Sequence, residues 1–91
     1  MSEKVTETAE EKEAKLKACF ERARKGVLTF LDEKGGSLPM GELHDHSLKK
    51  YFIQHQGFSR MMETFVDEEL VDYDHMTQVT GLTEKGKEFI Q

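Results

Sequence analysis

The side chains best suited to specific chemistry lie between residues 49 and 64 of this 91-residue chain. Arg60 is foremost among them, because a guanidinium can donate two parallel hydrogen bonds to O6 and N7 of a guanine. The lysine, glutamine and histidine side chains nearby can hold phosphates, and two hydroxyl side chains can assist Arg60. An ordinary solvated turn and helix face is the alternative for the same residues. The set predicted to contact DNA is Lys49, Lys50, Gln54, His55, Gln56, Ser59, Arg60 and Thr64.

The next stretch of the chain is acidic. Residues 61–78 hold six acidic side chains and no Lys or Arg, and the whole chain has a formal net charge of −5. Phosphates repel acidic surfaces over about a Debye length, so this stretch opposes binding to nucleic acid or anionic lipid. DNA binding would then depend on a dimer or on one helix alone. The acidic residues are Glu63, Asp67, Glu68, Glu69, Asp72 and Asp74.

The spacing of the reactive side chains disfavours metal binding and catalysis. His44, Asp45 and His46 fall on a predicted helix, where residues two apart point to different sides and do not readily share a tetrahedral ion. Cys19 falls within an apolar helical stripe and is predicted to be a buried, unreactive thiol. The sequence has neither a glycine-rich phosphate loop nor a Ser, His and Asp order. We therefore expect no catalytic residue, no metal site and no cofactor, and predict a protein that is not an enzyme.

Cysteine content and hydropathy indicate a cytoplasmic protein. Cys19 is the single cysteine, which excludes an internal disulfide and fits a reducing compartment. The N-terminal residues lack the apolar run of a signal peptide. Nothing in the chain approaches the roughly 18 apolar residues of a membrane span. We expect a soluble protein without a membrane partner.

The first predicted helix runs from about residue 9 to residue 34, after a disordered polar lead-in at residues 1–8. Gly35 and Gly36 are expected to end it, because glycine accepts the left-handed conformation of a helix C-cap. This pattern predicts either the face that packs on the rest of the core or the seam of a dimer. Its apolar side chains recur at spacings of three and four, at Leu16, Phe20, Ala23, Val27 and Phe30 or Leu31.

The remaining pattern predicts three more helices and a pair of strands. Residues 37–39 form an extended link, a second helix follows to about residue 50, and a third covers residues 57–68. Strands at residues 70–73 and 79–82 are joined by a short turn, and Thr83 is placed to cap a last helix. Residues 9–91 are thus expected to form a single, mainly helical domain. Side chains expected in its core include Met40, Leu43, Ser47, Leu48, Phe58, Met61, Met62, Phe65, Val66 and Met76.

Two phrases in the second half of the chain resemble a known superfamily. GFSRMMETFVDEELVDYD at residues 57–74, followed by TGLTEKGKEFI at residues 80–90, is similar to winged helix-turn-helix regulators of the MarR and PadR type. The resemblance covers roughly residues 12–91. It implies the order α-α-α-β-β-α, with a two-stranded antiparallel β-wing before the closing helix. Glu69 stands where such regulators usually have glycine.

The sequence leaves two functions open. The resemblance implies a DNA-binding transcriptional regulator, dimeric through its first helix, with double-stranded DNA as its partner. The charge distribution favours an alternative, in which the same fold binds a basic protein partner and does not bind DNA. The residues assigned to protein interaction are Leu16, Phe20, Ala23 and Val27 on the first helix, with Asp72 and Asp74 on the wing.

Overall fold

The computed structural model describes the backbone of residues 9–91 and the side chains of residues 14–91. The lead-in predicted at residues 1–8 lies outside the described residues. The order of the elements confirms the predicted, mainly helical fold with a small antiparallel hairpin. Within the described residues the elements are α1 (Ala9–Glu33), β1 (Ser37–Pro39), α2 (Met40–Tyr51), α3 (His55–Asp67), β2 (Val71–Asp74), β3 (Val79–Leu82) and α4 (Glu84–Ile90).

The predicted extended link after α1 forms a third strand, β1. It pairs antiparallel with β3, and the sheet has the order β1-β3-β2. Pro39 is tolerated because β1 is an edge strand, where a residue without an N–H interrupts no central ladder. Beside this pairing, the Met40 N–H donates to the Gln78 carbonyl and the Leu82 N–H donates to the Gly36 carbonyl, each at 2.8 Å. The sheet is therefore tied to the start of α2.

The ends of α1, α2 and α3 each place a residue in the left-handed conformation, and only α1 uses glycine there. Gly35 has a φ of 103°, and the N–H of Gly36 donates to the Leu31 carbonyl at 2.8 Å. Phe52 (φ 59°) ends α2, and Glu69 (φ 62°) follows α3. A left-handed backbone costs an ordinary residue about 1–2 kcal/mol. This strain is a physical reason for the glycine that regulators resembling this sequence usually have in place of Glu69.

The boundary between α2 and α3 differs from the prediction. α3 begins at His55 and not at residue 57, because only residues 52–54 separate the two helices. Phe52 turns the chain immediately after α2, and Gln54 takes the extended conformation of an N-cap residue, with φ −76° and ψ 172°. Neither Gly nor Pro marks this link in the sequence.

The core is formed by one face of each of the helices α1, α2 and α3, together with the start of β2. Three residues predicted to face it are exposed instead: Leu48 by 37%, Val66 by 48% and Met76 by 92%. Leu48 and Val66 lie beyond the buried arc of their helices, and Met76 lies in the turn between β2 and β3, where no other element covers it. The buried apolar residues are Ala23, Val27, Leu28, Leu31, Leu43, Phe58, Met61, Met62, Phe65, Leu70 and Val71.

The apolar stripe of α1 is divided between core and solvent. Ala23 and Val27 are 2% and 0% exposed, so this half of the stripe packs within the chain. Phe20 is half-buried and Leu16 is 64% exposed. Cys19 is exposed as well, and the prediction of a buried thiol is wrong. The reason is that the described part of α1 before Phe20 extends past the core that its second half covers.

Arg24 is a buried charged residue that the apolar pattern did not single out. Its guanidinium donates to the carboxylates of Glu21 and Glu68, each at 2.6 Å. It also lies over the rings of Phe65 and Phe89, 5.7 and 5.2 Å from their centroids. Burial by itself lowers the pKa of Arg24, but the hydrogen bonds with Glu68 and Glu21 outweigh it and raise that pKa above its ordinary value. One side chain therefore joins α1, the end of α3 and α4.

The start of α4 has a cap and a close contact. The Thr83 side chain accepts a hydrogen bond from the Gly86 N–H at 3.0 Å, which confirms the predicted N-cap. A Cβ atom at Gly86 would collide with the backbone carbonyl of Leu70. The glycine of the LTEKG phrase is therefore required because α4 lies directly against the chain that enters β2.

Replacing Gly86 tests this contact. Gly86→Ala should lower the free energy of unfolding by about 1–3 kcal/mol, because a backbone atom cannot move aside as a flexible side chain does. Gly41→Ala is the matched control, since no atom lies within 4 Å of its added Cβ and alanine favours the helix. Urea denaturation of both variants measures the difference. Equal stabilities would contradict the close approach of α4 to Leu70.

Replacing Glu69 tests the strained end of α3. Glu69→Gly should be more stable than Glu69→Ala by about 1 kcal/mol, because glycine adopts positive φ without the Cβ penalty. Both variants lose the exposed ion pair with Lys85, so the comparison isolates the backbone. Thermal or urea denaturation gives the answer, and a more stable alanine variant would show that Glu69 carries no strain.

Candidate nucleic-acid interface and acidic groove

The first half of α3 presents a polar surface. His55, Gln56, Ser59 and Arg60 are exposed and line one shallow depression together with Glu63. They share a surface because residues three and four apart lie on one side of a helix. Arg60 forms no ion pair with any described side chain, so its donors face solvent. The Arg60 guanidinium is thus available to donate paired hydrogen bonds to a ligand.

The other side chains predicted to contact DNA do not line this depression. Lys49, on the last turn of α2, forms an ion pair with Asp45, with 3.1 Å between Nζ and Oδ2. Lys50 lines a separate groove between α1 and α2. Thr64 is half-buried, and its hydroxyl donates to the carbonyl one turn before it at 2.7 Å. Gln54 is exposed at the N-cap of α3. Contact with DNA stays a prediction for all eight residues.

Some of the acidic side chains after Arg60 form ion pairs, and the others do not. Glu68 accepts from Arg24, and Glu69 accepts from Lys85 Nζ at 2.6 Å. The hydrogen bond and the charge of Lys85 lower the pKa of Glu69, so this carboxylate is ionised at neutral pH. Four acidic residues on α3 and β2 form no ion pair with another described side chain: Glu63, Asp67, Asp72 and Asp74.

A groove of about 700 Å³ lies between the second half of α3 and β2. We call it the acidic groove. Its apolar lining comes from Met40, Met62, Val66, Val71 and Tyr73. The other lining residues are Glu63, Asp67, Glu69, Asp72 and His75.

Asp74 stabilises the turn between β2 and β3. Its Oδ1 accepts a hydrogen bond from the Met76 N–H at 2.9 Å, and this backbone hydrogen bond lowers the pKa of Asp74. The chain returns through Gln78, which has a φ of 60° and donates its N–H to the Asp74 carbonyl at 2.7 Å. Asp72, assigned with Asp74 to protein interaction, is exposed and belongs to the acidic groove.

The two histidines in the middle of α2 point to different sides. His46 stacks on Phe30 with 3.8 Å between ring centroids, whereas His44 meets Phe58 edge-on at 4.9 Å. Burial and the nearby charge of Lys50 lower the pKa of His46. In the described part of the chain, no group of three or more His, Cys, Asp or Glu side chains is placed to hold a metal ion.

Comparison with solved structures identifies the architecture. The chain is similar to a crystal structure of a MepR-like protein complexed with pseudoligands, with a TM-score of 0.57 and 24% sequence identity. The chain has the winged-helix fold. The match covers 76% of this chain and 49% of the other, so the chain spans about half the length of that protein. No protein-family model and no curated protein matches the sequence.

The winged-helix fold gives the two surfaces their relative positions. α3 is the helix that precedes the wing, and the β2–β3 hairpin is the wing itself. The polar depression thus occupies the start of α3, and the acidic groove lies between its end and the wing. No helix among residues 9–91 combines the length and apolar character that crossing a membrane requires.

The sequence pattern did not anticipate the surface around Phe52. This side chain is 80% exposed beside the open half of the α1 stripe, and lines a groove with Leu16, Cys19 and Phe20. The sequence carries no signal for its position, because its exposure follows from the left-handed conformation that ends α2. An apolar patch of this kind on a small chain is typical of an interaction surface.

Proposed function

We propose that residues 9–91 form a single winged-helix domain of a DNA-binding transcriptional regulator, of the MarR and PadR type, that acts as a dimer in the cytoplasm and has no catalytic activity. The observation that carries the proposal is the exposed Arg60 on the first half of α3, with Ser59 and Gln56 in the same depression. A helix of this kind inserted in the major groove would present Arg60 to a guanine edge. The resemblance of the sequence to such regulators agrees with the likeness to a MepR-like protein.

The acidic wing restricts how the proposed complex forms. Asp72 and Asp74 are both exposed on β2, where they would repel a phosphate backbone. The phosphate contacts then come from α2 and the start of α3, through Lys49, Lys50, His55 and Gln54. A single domain with few such contacts binds weakly, because phosphate contacts supply most of the sequence-independent affinity. Two domains reading two half-sites would restore the affinity, which is why the proposal includes a dimer.

A second candidate function is a protein-interaction module that does not bind DNA. The observation that favours it is the acidic groove, whose apolar lining is bordered by three carboxylates, of Glu63, Asp67 and Asp72, that form no ion pair with a described side chain. The open half of α1 offers another surface for the same role, through Leu16 and the half-buried Phe20. Ala23 and Val27, assigned to the same role, would contribute to it only by supporting that surface, because they are buried in the core.

Two substitutions separate base reading from phosphate contact. Arg60→Ala should lower the preference for a specific site by about 5-fold to 150-fold, the equivalent of about 1–3 kcal/mol for one bidentate contact. Lys49→Ala should weaken binding to all sequences alike, because a phosphate contact carries no sequence information. The measurement is titration into fluorescent duplex DNA of the protein's own upstream region and into a scrambled duplex, at about 50 and 200 mM salt.

Lys87→Ala is the control, because Lys87 is exposed on α4 and lines neither the depression on α3 nor the grooves beside α1. Selective binding by the wild type that weakens at the higher salt concentration would support the regulator. An unchanged site preference in the Arg60 variant would remove Arg60 from the interface. Failure of the wild type to bind either duplex at low salt would favour the protein-interaction module.

The proposed dimer gives a separate prediction. Leu16→Ser should convert a species of twice the monomer mass into a monomer, as measured by light scattering after gel filtration. Reaction of Cys19 with a thiol reagent should be slow in the dimer and fast in this variant, because Cys19 lies beside Leu16. Met76→Ser also removes an exposed apolar side chain, but it lies at the wing and should leave both readouts unchanged. A dimer that survives Leu16→Ser would place the interface elsewhere.

A further inference from the structure

The acidic groove runs along a free edge of the sheet. β2 is the last strand in the order β1-β3-β2, so its outer edge has no strand neighbour among the described residues. The strand residues that line the groove are Val71, Asp72 and Tyr73. Consecutive strand residues point to opposite faces of a sheet. A groove lined by all three therefore follows the edge of β2 and does not cover only one face.

The opposite wall of the groove is apolar and open to solvent. Val66 on α3 supplies the exposed part of this wall, at 48% exposed, and Met62, which is 8% exposed, forms its base one turn before on the same side of the helix. Met40 and Tyr73 are half-buried in the same lining. Exposed apolar side chains in a concave surface favour a ligand that removes them from water. The wall thus selects a ligand with apolar side chains of its own.

The negative charges around the groove disfavour ligands that are themselves negatively charged. Glu63, Asp67 and Asp72 surround the apolar lining and form no ion pair with a described side chain. Nucleic acid and anionic lipid would be repelled. A second copy of the same strand edge would bring Asp72 and Asp74 against identical charges, and charged edge strands of this kind prevent self-pairing. A segment that carries Lys or Arg would instead gain ion pairs along the groove.

We propose that the acidic groove binds an extended segment of a partner protein in which Lys or Arg residues alternate with apolar residues. The segment pairs with the outer edge of β2 and lengthens the sheet by one strand. Its apolar side chains pack on Met62 and Val66, and its cations contact Asp67 and Asp72. This inference rests on the second candidate function, since it names the class of partner for the acidic surface.

Three labelled peptides of about eight residues test the groove, a length that exceeds the short strand it would join. The first alternates Lys with Val and should bind the wild-type protein in a fluorescence anisotropy titration. The second alternates Lys with Ser and should bind at least tenfold more weakly, because it has nothing to pack on the apolar wall. The third alternates Glu with Val and should not bind. Equal binding of the first two peptides would show that the protein attracts them only through its negative charge, and would overturn the proposal.

A pair of double variants locates the binding. Asp67→Lys with Asp72→Lys should weaken the Lys/Val peptide by at least tenfold. Glu42→Lys with Glu88→Lys changes the net charge by the same amount at exposed positions outside the groove, and should alter binding by less than twofold. Circular dichroism of both variants checks that they fold. Equal weakening by the two pairs would overturn the assignment of the groove.

The strand pairing has its own control. Alternate residues of a strand direct their N–H groups to the same edge, so two modified Lys/Val peptides are needed, one with N-methylated valines and one with N-methylated lysines. The one that has lost the N–H groups facing β2 should bind at least tenfold more weakly than the unmethylated peptide. Equal affinity of both modified peptides and the unmethylated one would overturn the added strand. Failure of every peptide to bind would overturn the proposal and leave the acidic residues with the role of preventing unwanted pairing at the edge of β2. That result would leave the DNA surface and the α1 surface unaffected, because Arg60→Ala and Leu16→Ser report on them separately.

Discussion

The side chain of Arg24 on α1 contacts both the end of α3 and α4, and these contacts constrain where the wing lies. Its two carboxylate partners are half exposed, so the pairs are partly solvated, while the aliphatic part of the side chain is buried with the core. Glu68 follows α3 directly, and Phe89 belongs to α4. The position at which α3 stops and the position at which α4 packs are therefore fixed by the same group on α1. The wing begins and ends between these two fixed points.

The sequence predicted those parts of the fold whose cause is local. Gly35 and Gly36 mark the end of α1, and Thr83 marks the start of α4, because left-handed backbone and N-capping each require particular residue types. Phe52 and Glu69 also take positive φ at helix ends, although neither residue type favours it. Backbone hydrogen bonds to the preceding helix hold them there, from the Ile53 N–H to the Ser47 carbonyl and from the Leu70 N–H to the Phe65 carbonyl. The α2–α3 boundary was therefore misplaced, although both helices were predicted.

The candidate surfaces were predictable in composition but not in geometry. The reversal of charge after Arg60 is visible in the sequence, and the structure places it along one helix and the adjacent strand. The pairing of β1 with β3 makes β3 the central strand and leaves β2 at the edge, and this long-range pairing has no local signal. Glu63 lines both the polar depression and the acidic groove. The two surfaces are therefore neighbours on α3, and a large ligand on one would restrict access to the other.

The hydrogen bonds at the two ends of β1 have a mechanical consequence. The Met40 N–H is held by Gln78 beside the wing turn, and the Gly36 carbonyl is held by Leu82 at the end of β3. A hinge between the wing and the helices would have to break both bonds together with the β1–β3 pairing. A displacement of the wing that keeps these bonds intact would therefore also displace the start of α2.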